Sequence, residues 1–179
     1  LVAQAAREEA ALDRVIFIPA MQSPFKPGRT LSPPAVRLRL LRLALAGRNY
    51  CEVDTQEIER AGVSYTVETV RDYQKRFPGA ELFYLIGADH VGQLPKWRES
   101  AFLAGALEFV VIPRPGEAPQ PFPAGYRGRN LSGIPVGISS SQIRERVRRQ
   151  LPVDLLSPGP VAEAIREAGL YAAAPDGEG

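Results

Sequence analysis

Three short runs of β-branched and aromatic residues set the terms on which this chain can fold. Val15-Ile16-Phe17-Ile18 stops at Pro19, the run over 82–86 leads into Gly87-Ala88-Asp89, and Phe109-Val110-Val111-Ile112 stops at Pro113. Apolar runs of four or five residues are too short for a buried helix and read as interior strands covered on both faces. A fourth, weaker strand candidate spans 50–53. Between these runs the period changes to that of a helix. The chain opens inside a helical pattern, with Val2, Ala6 and Ala10 four residues apart. A helix is expected over 33–46, entered at Ser32-Pro33 as an N-cap followed by proline in the first turn. Val67, Val70, Tyr73 and Phe77 mark another, capped by Ser64 or Thr66 and stopped at Pro78-Gly79. A helical stretch is expected over 99–104. Two more helices close the chain, one from Ser139 with Ile143, Val147 and Leu151 on one face, and one over 158–168 ended by Gly169.

Strands alternating with helices at this spacing predict an α/β fold, a Rossmann-like doubly wound parallel sheet with helices on both faces. With 179 residues, 45% of them hydrophobic, the chain has material for one core, so a single domain over 1–171 is expected. Residues 113–137, dense in proline and glycine, read as a long surface excursion, and 172–179 as a frayed tail. Sheets of this kind bind ligands beyond the carboxyl ends of their strands. The informative residues are therefore those that follow a strand.

Composition narrows the partners. A net charge of +2 with 23% charged residues gives no basic field for nucleic acid, while a small phosphorylated ligand is compatible. One cysteine, Cys51, forms no internal disulfide, and with the one histidine, His90, it makes no zinc site, so no protein-held metal is expected. No apolar run is long enough to span a membrane and no signal-peptide pattern opens the chain, which makes the cytoplasm the expected setting. The oligomeric state is not fixed by the sequence; a homo-oligomer is compatible with it. Because Leu1 falls inside a helical pattern, a preceding segment is expected.

The strongest chemical signal is Ile138-Ser139-Ser140-Ser141-Gln142-Ile143-Arg144 at a helix start. Ser139 with Gln142 fits a capping box, which alone accounts for two of these residues. A cap needs no serine triplet. Consecutive hydroxyls and free N–H groups at a helix N-terminus, with arginine one turn on, suit polyphosphate oxygens. Asp89, three residues past a strand, suits ribose hydroxyls or a turn cap, and Gly87 permits close backbone approach. Trp97, the single tryptophan, lies between Lys96 and Arg98 and reads either as a core aromatic or as a stacking platform beside positive charge. Thr69 falls in a first helical turn, where its hydroxyl suits a cap. His90 reads as a solvent-exposed loop residue. Neither a Walker A loop nor a Gly-x-Gly-x-x-Gly fingerprint is present.

These segments together resemble the nicotinate-nucleotide adenylyltransferase family. The serine-rich stretch is similar to its Ile-Ser-Ser-Thr-x-Ile-Arg phosphate motif, with Ser141 in place of threonine. Phe17-Ile18-Pro19 through Pro24-Phe25-Lys26 resembles its strand and Pro-Pro-His-Lys loop, with Phe25 in place of histidine. Ser64-Tyr65-Thr66-Val67-Glu68-Thr69, Leu85-Ile86-Gly87-Ala88-Asp89, Leu94-Pro95-Lys96-Trp97 and Gly169-Leu170-Tyr171 match further family stretches in order.

The resemblance implies the nucleotidyltransferase fold and transfer of AMP from ATP, with Mg²⁺, to nicotinate mononucleotide, giving nicotinate adenine dinucleotide and pyrophosphate. It places Lys26, Gly87, Asp89, Arg114, Ser139, Ser140, Ser141, Ile143 and Arg144 at ATP, and Thr66, Thr69, Lys96 and Trp97 at the mononucleotide. It also implies that the family's first strand and His-x-Gly-His motif belong before Leu1. No catalytic side chain is then expected in this chain, which by itself would be inactive. A related adenylyl- or cytidylyltransferase and a nucleotide-binding remnant remain the alternatives.

Overall fold

The computed structural model describes residues 1–25, 31–113, 115–116, 118–133 and 137–172. The contacts divide the chain into two compact units, Leu1–Leu31 with Tyr50–Val136 and Ser32–Asn49 with Gly137–Gly179.

The first unit carries the strands. Helix α1 (Val2–Glu9) leads to β1 (Val15–Phe17), and after the excursion into the second unit come β2 (Cys51–Val53), α3 (Gln56–Arg60) and α4 (Thr66–Arg76). Strand β3 (Phe83–Gly87), a 3₁₀ helix (Ala88–Lys96), α5 (Ser100–Ala106), β4 (Glu108–Ile112) and β5 (Arg127–Asn130) complete it. The architecture is α/β and every strand pairing is parallel, as the alternating pattern predicts. The expected single sheet is instead divided, with β1 beside β2 and β3-β4-β5 as a separate ladder. Residues of β1 and of β3 line a cavity of about 1220 Å³ and do not pair with each other.

Strand β4 sits inside this unit because its side chains are apolar on both faces. Phe109 and Val111 pack with Val67, Val70, Ile86, Val91, Leu94, Trp97, Leu103 and Leu107, and Val110 packs on the other side with Ala6, Ala10 and Leu131. Helix α1 thus docks through the alanines that its four-residue spacing marked. The 3₁₀ helix buries Ala88, Val91, Leu94 and Trp97, three residues apart, as expected where side chains at i and i+3 eclipse.

Three elements lie outside the sequence reading. The segment 113–137 is not wholly an excursion: Arg127-Gly128-Arg129-Asn130 pairs with β4, its exposed polar residues recruited by the free edge of a buried strand. The α3 and 3₁₀ helices are the other two. Capping differs as well. Helix α4 starts from Tyr65, and Ser64 Oγ accepts the Met21 N–H instead of capping (2.9 Å).

The second unit holds α2 (Pro34–Leu45), α6 (Ser140–Arg148) and α7 (Gly159–Glu167). Helix α2 is entered from Pro33, so Ser32 is not its cap; the Ser32 hydroxyl donates to Tyr171 Oη (3.2 Å). Helix α7 packs against α2 and buries Val161, Ala162, Ala164 and Ile165. The turn after it holds Gly169 at φ 56°, a left-handed conformation that favours glycine. The expected tail lies outside the described residues from 173 onward.

At the carboxyl end of β2, Asp54 joins three elements. Its carboxylate accepts from Tyr73 Oη (2.5 Å) and Arg76 Nη1 (2.7 Å) on α4 and from the Gln56 N–H (2.9 Å). Burial opposes ionisation, but the hydrogen bonds from Tyr73, Arg76 and Gln56 outweigh it and hold the carboxyl at about 2.

Two predictions follow from this packing. Asp54 is depressed below its ordinary carboxylate value, so its contribution is present at neutral pH and lost as pH falls through about 4 towards 2. Asp54→Asn is therefore expected to lower the melting temperature at pH 7 and to flatten its fall between pH 5 and 2, as read by circular dichroism. In β5, a Cβ on Gly128 would stand 2.5 Å from Phe109 O and 2.3 Å from the Phe122 ring. Gly128→Ala should cost about 1–3 kcal/mol in urea unfolding, the ordinary cost of overpacking.

Candidate functional site

The cavity of the first unit brings sequence-marked residues together. Thr66, Thr69, Gly87 and Trp97 line it, with Phe25, Glu57, Ser64, Tyr84 and His90. Gly87 ends β3, so this part lies at the carboxyl end of a parallel strand, where open α/β sheets take their ligands.

Thr66 is the first residue of α4, and its hydroxyl donates to Tyr84 Oη (3.3 Å). Burial pushes the Tyr84 hydroxyl up, against the opposing effect of the Thr66 bond, so the phenol stays neutral. Thr69 is 4% exposed and is not a cap. Its Oγ1 donates to Glu57 Oε1 (2.7 Å) and accepts from Arg60 Nη2 (3.1 Å). The proton and one lone pair of this hydroxyl are thus committed within the protein, and one acceptor position remains. Glu57 is itself 8% exposed and reaches Thr69 from α3. Arg60 also pairs with Glu68 (3.3 Å), and Glu68 with Arg98 (3.2 Å), next to Trp97.

Trp97 terminates the 3₁₀ helix and is 8% exposed. It is both a core aromatic and a cavity-lining one, so the two sequence readings coincide. Tyr84, His90 and Phe109 meet it edge-on, with centroids 5.7–6.3 Å away, and Phe25 lies 5.5 Å away at 41°. Its indole N–H is buried without a hydrogen-bond partner among the described residues. His90 is not a solvent-exposed loop residue. It stands in the 3₁₀ helix, half-buried, 6.0 Å from the Phe25 ring.

Asp89 and Lys96 are exposed on the 3₁₀ helix and do not line the cavity. Lys26 and Arg114 lie outside the described residues. Ser139, Ser140, Ser141, Ile143 and Arg144 belong to the second unit. There the capping box is complete: Gln142 N donates to Ser139 Oγ (3.2 Å) and Ser139 N to Gln142 Oε1 (2.7 Å). Arg144 Nη2 donates to Ser141 Oγ (3.2 Å), which places a guanidinium beside the first turn. The serines are exposed and Ile143 and Arg144 partly buried.

Sequence reasoning missed Glu57, Arg60 and Tyr84. The Glu-x-x-Arg spacing of the first two, on one turn of a short helix, was the available signal; Tyr84 lay hidden within an apolar strand run. Among the described residues, no group of three His, Cys, Asp or Glu side chains could hold a metal ion. None of the described helices is long and apolar enough to cross a membrane.

Comparison with known proteins gives a consistent result. The family model described as cytidylyltransferase-like matches residues 1–146. A protein of Opitutus terrae named "Probable nicotinate-nucleotide adenylyltransferase" is 38% identical over 174 residues, covering 96% of this chain and 89% of its own. One of the same name from Methylacidiphilum infernorum is 36% identical, covering 92% and 80%. Among solved structures, the Plasmodium falciparum nicotinic acid mononucleotide adenylyltransferase complexed with NaAD aligns with a TM-score of 0.68 at 14% identity, over 89% of this chain and 83% of that one. The same protein complexed with APC gives 0.69 at 13%, over 94% and 88%. At such identities the structural likeness bears on the fold alone.

Among the described residues the Thr69 hydroxyl donates to the buried Glu57 carboxylate, which gives a direct test of the network. Thr69→Val keeps the shape and removes the bond, and should destabilise the protein by about 1.5–3 kcal/mol in urea unfolding. Thr69→Ser should recover most of that loss.

Proposed function

The chain belongs to the cytidylyltransferase-like family and, within it, to the nicotinate-nucleotide adenylyltransferases, and from that membership we propose how its residues act. The reaction is transfer of AMP from ATP to nicotinate mononucleotide, giving nicotinate adenine dinucleotide and pyrophosphate, a step of NAD biosynthesis. A phosphate oxygen of the mononucleotide attacks the α-phosphorus in line, and the bond to the bridging oxygen of pyrophosphate breaks. No side-chain nucleophile is needed, so the protein's contribution is positioning and charge stabilisation.

The observation that carries the residue assignment is the shared cavity of Thr66, Thr69, Gly87 and Trp97 at the end of β3. In this reading Trp97 is the platform for the pyridine ring and Lys96 adds positive charge near its carboxylate. Thr66 and Thr69 frame the mononucleotide. Because Thr69 already donates its proton to Glu57, it serves the ligand as an acceptor, for instance from a ribose hydroxyl. Gly87 and Asp89 are assigned to the ATP nucleoside. Ser139, Ser140, Ser141, Ile143 and Arg144 at the start of α6, with Lys26, are assigned to the phosphates of ATP, and Arg114 to a further contact with the nucleotide.

Nucleotidyltransferases use a divalent metal with ATP, here assigned as Mg²⁺. In this reading the cation would be held through the triphosphate and would neutralise phosphate charge there. A cytoplasmic setting agrees with this chemistry.

Arg144→Ala tests the phosphate assignment. Losing a charge-assisted hydrogen bond of about 1.5–3 kcal/mol should raise the KM for ATP roughly ten- to hundredfold and that for the mononucleotide far less. Equal effects on both substrates in steady-state assays of dinucleotide formation would remove Arg144 from the ATP site.

A further inference from the structure

Phe25 occupies a position that no part of the reaction described above uses. Its ring centroid lies 5.5 Å from that of Trp97 and 6.0 Å from that of His90, and all three rings line the cavity. Of the four rings around Trp97, Phe25 is the one closest to parallel, at 41°; Tyr84, His90 and Phe109 stand at 78–84°. Tyr84 and Phe109 belong to paired strands, whereas Phe25 is in a turn where its N–H donates to Ser23 Oγ (3.3 Å). It is 46% exposed. Its ring can therefore swing away without breaking a strand ladder or opening the core.

The spacing decides what Phe25 can do for a ligand. A ring inserted between two others needs about 7 Å between the outer pair, two carbon–carbon contact distances. The Phe25 and Trp97 centroids are too close for that. With Trp97 only 8% exposed and three of its neighbours fixed in the framework, the surface under Phe25 is what a planar ligand can gain. We propose that Phe25 stands in for the pyridine ring on Trp97 in the unliganded protein, and that nicotinate mononucleotide must displace it. Phe25 is thus a determinant of mononucleotide affinity, a competitor built into the chain rather than a wall of the site. This rests on the reading of Trp97 as the pyridine platform.

Trp97 is the single tryptophan of the chain, so tryptophan emission reports the surroundings of this one side chain. The full chain, Phe25→Ala and Phe25→Leu are titrated with nicotinate mononucleotide while Trp97 emission is followed, with circular dichroism confirming that each variant is folded. The proposal expects red-shifted emission from free Phe25→Ala and quenching by the mononucleotide in all three proteins. It expects the dissociation constant to fall roughly two- to tenfold in Phe25→Ala, the worth of one aromatic pair, and less in Phe25→Leu. Quenching with unchanged or weaker affinity in Phe25→Ala would overturn the proposal and leave Trp97 as the platform. Binding detected by calorimetry without quenching in any of the proteins would overturn the platform reading and this proposal with it.

Discussion

The burial of β4 is the constraint on which the first unit is built. Phe109, Val110 and Val111 are at most 2% exposed, and the strand is paired on both edges, with β3 and β5. A strand apolar on both faces must be covered on both, and α1 on one side and the cluster around Val67, Leu94 and Leu103 on the other do this. Parallel pairing with β3 then requires a crossover from the end of one strand to the start of the other. The crossover here is the 3₁₀ helix and α5, and it carries Trp97 to the end of β3. The cavity-lining tryptophan is thus placed by the same packing that buries the sheet.

A second constraint is electrostatic. Glu57 is a buried carboxylate, and burying a charge is costly unless it is hydrogen-bonded. Thr69 supplies that bond, Arg60 bonds the other side of the same hydroxyl, and the chain continues through Glu68 to Arg98 beside Trp97. A short helix, the first turn of α4 and the turn after the 3₁₀ helix are thereby tied through polar groups near the cavity. Such a network fixes the hydroxyl's direction, which neither residue does alone.

What was legible in the sequence was whatever declared itself by period or by a stop. The apolar runs ending at Pro19, Gly87 and Pro113 gave β1, β3 and β4, and the spacing of Val67, Val70 and Tyr73 gave α4. The motif residues Thr66, Thr69, Gly87 and Trp97 proved to share one cavity. The 3₁₀ helix had a signal that was not read: Ala88, Val91, Leu94 and Trp97 recur every third residue, a period between those of strand and α-helix. Strand β5 had none, because Arg-Gly-Arg-Asn pairs only where β4 offers an edge. Helix α3 is a single turn and a half, too short to show a period.

The closed capping box at α6 bears on the kinetics of encounter. The first turn of that helix is already held by the exchange between Ser139 and Gln142, with Arg144 bonded to Ser141. Under the proposed assignment, an arriving phosphate would meet a turn that is already ordered. In such a case little conformational entropy is lost on binding, and the encounter rate is set by diffusion and charge rather than by local folding. Under that assignment the cap, beyond closing the helix start, would make the turn a preformed receptor.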